Sequence, residues 1–130
     1  MRLQGRKICA GRAEGEALVT SMGISFYGGV DPETGEVVER GHALEGQCIT
    51  GKVLVFPTGK GSTVGSYTLY RLKLGGLAPA AIVNAECETI TAVGCIISEI
   101  PCVDHIPIDQ LKTGARLIVD GEQATVESID

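Results

Sequence analysis

The chain has 130 residues, the usual length of one domain and enough to bury a true core. Its residues are 44% hydrophobic but only 4% aromatic with no Trp, so that core is built from Val, Ile, Leu and Ala. With 11 Lys+Arg against 16 Asp+Glu the net charge is −5, which argues against a general phosphate-backbone binder, and no apolar run is long enough for a membrane span.

The first third predicts β structure, with short strands at residues 7–13 and 16–20 separated by a Glu14-Gly15 turn. The stretch GISFYGGVDPETGEVVERGHALEGQ (23–47) follows, dense in turn signals at Gly28-Gly29 and Asp31-Pro32-Glu33-Thr34-Gly35. Within it, the loop Phe26 to Gly35 is either a wall of a functional site or a β connection. Residues 51–57 (GKVLVFP) form the clearest strand, apolar without alternation, as expected of one buried on both faces. A glycine-rich turn leads into a helix over 63–74, stopped by Gly75-Gly76. A buried strand at 79–84, a short helix at 89–98 and a third strand at 100–103 come next. The tail, 117–121 and 124–129, reads as a hairpin. Antiparallel outer segments around a strand–helix–strand–helix–strand middle predict an α/β chain with β on one side and α on the other.

Five cysteines, Cys9, Cys48, Cys87, Cys95 and Cys102, include no Cys-x-x-Cys pair. They read as buried thiols packed as small apolar groups, and a metal or cluster site on this chain would have to be assembled from distant segments. The start, MRLQGR, lacks the apolar stretch of a signal peptide, which predicts a cytoplasmic protein. His42 reads as an exposed loop residue and His105 as a strand-end residue.

The turn Thr58-Gly59-Lys60-Gly61-Ser62-Thr63 resists the familiar labels. Gly61 separates Lys60 from Ser62, which breaks a Walker loop. Gly65 follows Gly61 by four, one too many for a dinucleotide fingerprint, and Lys60 and Val64 stand where a nucleophile elbow needs glycine. What remains is a strand-to-helix turn where a ligand can approach the backbone and N–H groups favour anions. Ser62 is there either a helix cap or a reacting group, and Lys60 either a solvated charge or an anion ligand.

Taken in order, the segments FYGGVDPETG (26–35), VLVFPTGKGSTVGSY (53–67), APAAIVN (78–84), GCIISEIPCVD (94–104) and LKTGARLIVDG (111–121) resemble the small subunit of the aconitase-X family. The resemblance covers nearly the whole chain. It implies one swivelling β/β/α domain over residues 1–130, with a mixed or barrel-like β layer and flanking helices. It also implies a hydro-lyase active only with a large subunit, which carries an iron–sulfur cluster, while this chain itself holds no metal. The two-chain archaeal form implies dehydration of (R)-5-phosphomevalonate, a small phosphorylated hydroxy acid, to trans-anhydromevalonate 5-phosphate in a mevalonate pathway. On the family's pattern the base falls on Ser62; Lys60, Gly61, Thr63, Gly29 and Asp31 are the expected substrate-binding residues.

A helix N-terminus contributes about 0.3–1 kcal/mol, ~2 at most, against ~1.36 kcal/mol per pKa unit, so it cannot by itself make a serine a base at neutral pH. Cationic help from Lys60 or from an Arg of the large subunit is required. Three other readings stand beside this one. Some relatives dehydrate hydroxyproline; swivelling carrier domains bear a phosphohistidine, which needs a His at the presented turn; and a non-catalytic subunit would only bind an anion.

Overall fold

A computed structural model of the chain describes residues 1–129; Asp130, the last residue of the expected domain, lies outside the described residues. Among the described residues eight strands form one sheet: β1 (Arg2–Gln4), β2 (Arg6–Cys9), β3 (Arg12–Val19), β4 (Val53–Phe56), β5 (Ala81–Asn84), β6 (Cys102–Asp104), β7 (Arg116–Asp120) and β8 (Thr125–Ser128). Their spatial order is β1-β8-β7-β3-β4-β5-β6-β2. The middle strands β3, β4, β5 and β6 pair in parallel, and the flanking pairs are antiparallel. The two ends of this order, β1 and β2, are joined through the single residue Gly5. The sheet must therefore roll until its edges meet, which makes the β layer barrel-like and leaves little open edge.

The parallel middle comes from two crossovers, β4 to β5 through helix α2 (Gly65–Leu74) and β5 to β6 through α3 (Thr89–Ser98). The unbroken apolar run of β4 is explained by its two faces. Val53 and Val55 face the interior with Val83, Val103, Leu117 and Val119, while Leu54 and Phe56 pack against Leu69 and Leu72 of α2 and Cys95 of α3. The helices thus occupy one face only, as the sequence pattern predicts. Among the described residues no helix is long and apolar enough to cross a membrane.

The long connection between β3 and β4 is a folded layer in its own right. Its Ile24, Phe26, Val30, Val37, Leu44 and Ile49 are buried on the helix side of the sheet, and the Phe26 ring meets Phe56 edge-on with centroids 5.9 Å apart. Burying a side chain of this size contributes about 1.5–3 kcal/mol, so Phe26 pins the layer to β4. The four-residue segment α1 (Phe26–Gly29) is a broken turn: Tyr27 has ψ 117° and Gly28 has φ 83°.

Three expectations are corrected. Glu14-Gly15 is no turn; β3 runs straight through it, registered residue by residue on β7 from Arg12↔Asp120 to Glu16↔Arg116. The charges there serve the outer face, where Glu14 pairs with Arg116 and Glu16 with Lys52. The helix expected over 63–74, α2, begins at Gly65, two residues later than expected. His42 is buried: its Nδ1 accepts the Leu44 N–H at 3.0 Å and its Nε2 lies 3.0 Å from the Gly23 carbonyl. An Nδ1 that accepts leaves the proton on Nε2, so the ring donates to Gly23 and ties the loop together.

Candidate active-site turn

The strand β4 ends at Phe56, and the chain then passes over the edge of the helix layer. The turn is held from both sides. On one side Ile24 and Gly59 form a parallel bridge, with the Lys60 N–H donating to the Ile24 carbonyl at 2.9 Å. On the other, Gly59 lies so close to Glu88 and Thr91 that a β-carbon would overlap both side chains. Glu88 is itself fixed: its carboxylate accepts the N–H groups of Ile90 at 2.7 Å and Thr91 at 2.8 Å, which caps α3. Gly61, at φ +99°, leaves only 2.6 Å between an ideal β-carbon and the Ser25 hydroxyl. Glycine is thus required at 59 by close approach and at 61 by both conformation and space.

Ser62 follows and is exposed. Its Oγ accepts the Val64 N–H at 3.1 Å, and its carbonyl accepts the Gly65 N–H at 2.9 Å. The hydroxyl is therefore a local turn acceptor, while Val64 is the N-cap of α2 and has no side-chain cap. Its own proton remains available to be exchanged. One neutral N–H at 3.1 Å gives an alkoxide little support, as the estimate from the helix dipole alone predicts.

The expected substrate-binding residues divide. Lys60 Nζ forms a half-exposed ion pair with Glu39 Oε2 at 3.0 Å. Gly29 lies against the same Glu39, whose Oε1 would be 3.3 Å from a β-carbon there. Glu39 thus gathers Lys60 and Gly29 beside the turn. Gly61 sits against Ser25, and Thr63 lines a groove with Tyr67, Ile90 and Val93. Asp31 serves the loop itself, its Oδ1 accepting the Glu33 N–H at 2.8 Å, at the edge of a second groove that Val64 also lines. Glu39, Ser25 and Glu88 also shape the turn, and none of the three stands out in the sequence as a site residue. Only Glu88, an acidic residue directly before a helix start, carried a readable signal.

Cys87, Cys95 and Cys102 come together in space. The hydrogen bond with Cys102, then burial, push the Cys87 thiol far up. At Cys102 the bond with Cys87 favours the thiolate, but the bond with Cys95 and burial outweigh it, and this thiol too is raised. Cluster ligands are thiolates at an open site. Here Cys95 and Cys102 are fully buried, the raised thiols of Cys87 and Cys102 favour the protonated form, and five surface grooves of the described residues are lined by no cysteine, so the set does not fit a cluster. Beside them Glu86, Asp104 and His105 hold their ligand atoms within 4.8 Å of one another. Asp104 is already engaged there, by Arg6 at 2.7 and 3.0 Å and by the Cys87 N–H at 2.8 Å. Burial acts to raise the Asp104 pKa, yet Arg6 and that N–H together hold it below the usual carboxylate value.

A profile of the aconitase X swivel domain matches residues 2–128. The chain belongs to the aconitase X swivel-domain family. It is 53% identical to the phosphomevalonate dehydratase small subunit of Methanocella arvoryzae, covering 98% of each chain. It is also 53% identical to that of Thermococcus kodakarensis, over 100% of this chain and 98% of the relative. The crystal structure of Thermococcus kodakaraensis aconitase X in its holo form superposes with a TM-score of 0.98 at 52% identity, covering 100% of this chain and 99% of that one. Family membership implies an iron–sulfur enzyme, and the aconitase X swivel fold is the expected α/β architecture.

Proposed function

We propose that this chain is the small subunit of a hydro-lyase that converts (R)-5-phosphomevalonate to trans-anhydromevalonate 5-phosphate and water, with Ser62 as the base. The observation that carries the reading is the full-length identity of 53% with archaeal phosphomevalonate dehydratase small subunits. In the reaction Ser62, ionised in the closed complex, takes through Oγ the proton from the carbon beside the carboxylate, the C–H electrons form the new double bond, and the tertiary hydroxyl leaves with its bonding pair, taking up the proton that Ser62 gave up on ionising to depart as water. We assign substrate contact to Lys60, Gly61, Thr63, Gly29 and Asp31, of which Lys60 and Gly29 meet at Glu39 beside the turn.

The chain alone does not activate Ser62. Lys60, the nearest cation in sequence, is neutralised by Glu39, and the hydroxyl is supported by a single N–H. Closure onto a large subunit supplies the missing positive charge and excludes water. The iron–sulfur cluster belongs to that subunit, since the thiols here do not suit one. Residues 1–130 act as one swivelling domain, and five free thiols agree with a reducing, cytoplasmic setting. A phosphohistidine carrier is disfavoured because His42 is buried with both ring nitrogens engaged.

Mixing the purified chain with its large subunit should give dehydration of (R)-5-phosphomevalonate that neither chain shows alone. Turnover by the large subunit without this chain would refute the reading; preference of the complex for cis-3-hydroxyproline would reassign the substrate.

A further inference from the structure

The outer surface of the two helices is unusual for a face in water. The helix α3, TITAVGCIIS, has no charged residue, and Val93, Ile96 and Ile97 point outward, Ile96 at 55% exposure. A helix apolar on all sides is ordinarily covered on all sides. In α2, Tyr67 is 70% exposed and stands on the ridge between two grooves. One, of about 370 Å³, runs between the helices past Thr63, Ile90, Val93 and Ile97. The other, of about 470 Å³, runs past Tyr27, Val38 and Val64 toward the broken turn α1. Thr63 and Val64, the residues directly after Ser62, line one groove each.

Charge is sparse here and frequent elsewhere. Lys7–Glu122, Lys52–Glu16 and Arg116–Glu14 lie on or beside the strands, while the grooves hold only Asp31 and Arg71, and Arg71 is paired with Glu33. An apolar, aromatic-anchored centre with charge at its edge is the composition of a protein–protein interface core. It suits neither a nucleic acid nor a lipid headgroup.

We infer that the exposed face of α2 and α3, with Tyr67 as its anchor and Val93, Ile96 and Ile97 as its floor, is the surface on which the large subunit docks. The inference rests on the function proposed above. Because Thr63 and Val64 belong to the grooves, a partner that closes over Ser62 from this side must cover the face as well. A second copy of this chain is the poorer occupant, since a two-fold contact here would cover both Ser62 turns and shut substrate out.

The test is the dissociation constant of the wild-type chain and large subunit, measured by sedimentation and independently of turnover. Tyr67→Glu and Ile97→Glu should each weaken assembly at least tenfold and together at least a hundredfold. Gln110→Glu, on the segment packed against the opposite face of the sheet, and Ser62→Ala should stay within threefold. Hydrogen exchange on the wild-type complex needs no substitution: amides in 63–74 and 89–98 should gain protection and those in 110–118 should not. A double variant that binds within threefold of wild type, protection confined to other segments, or a homodimer of the isolated chain broken by the same variants would each overturn the inference. A complex that assembles as described but dehydrates nothing refutes the proposed function and leaves the docking face standing; a wild-type chain that fails to bind refutes both.

Discussion

Gly59→Ala probes how the turn is aimed. The added methyl would overlap the Glu88 carboxylate and the Thr91 hydroxyl, so either Glu88 leaves the N-terminus of α3 or the turn backs away from it. Releasing Glu88 gives up its bonds to the Ile90 and Thr91 N–H groups, a capping loss of about 1 kcal/mol. Accommodating the methyl in a packed site costs about 1–3 kcal/mol more. Urea unfolding of the isolated chain should therefore show Gly59→Ala destabilised by about 2–4 kcal/mol. In a Glu88→Ala background part of the overlap is gone, and the same substitution should cost about 1 kcal/mol less. In the complex, a turn that backs away by ~1 Å misplaces Ser62, which predicts about a hundredfold loss of kcat. A Gly59→Ala protein within ~0.5 kcal/mol of wild type would refute the packing argument.

Two further outcomes follow from the charges. Asp104 is held below its ordinary value, so its contribution is complete above the unfolded carboxylate pKa of about 3.9 and fades as pH falls through the lower folded value. Asp104→Asn should lose about 1–3 kcal/mol at pH 7 and flatten the acid side of stability, read from urea midpoints between pH 7 and pH 2; an unchanged acid limb would contradict the assignment. Lys60→Met removes a half-exposed ion pair worth about 1 kcal/mol at most, so thermal unfolding should barely move. In the complex the same variant should raise KM about 10- to 100-fold if the charge meets the anionic substrate, and an unchanged KM would remove Lys60 from the site.

The layer order was legible because burial writes itself into sequence. Val53–Phe56 and Ala81–Asn84 carry runs that only two-sided burial explains, and residues 89–98 form the helix their pattern predicts. The rolling of the sheet was legible only through the family resemblance, since it depends on Gly5 passing the chain from one edge to the other, a fact of pairing rather than pattern. Gly15 misled for a related reason: it marks a close approach of the chain at residue 51 to β3, not a turn. At the site, Ser62 is proposed from whole-chain resemblance, and its tight turn is read from the glycines. Glu39 was missed and His42 misread as exposed because their partners, Lys60 and Gly23, lie about 20 residues away in sequence and a short-range pattern cannot see them. The same long-range closure gathers Cys87, Cys95 and Cys102, whose spacing suggested nothing.

The most direct test of the account is turnover by the Ser62→Ala complex. The Ser62 hydroxyl accepts one exposed N–H, so its loss should cost no more than about 1 kcal/mol of stability and leave assembly with the large subunit intact. The account predicts that kcat for dehydration of (R)-5-phosphomevalonate falls by about 10²–10⁴-fold. Assembly together with near-normal turnover would contradict it.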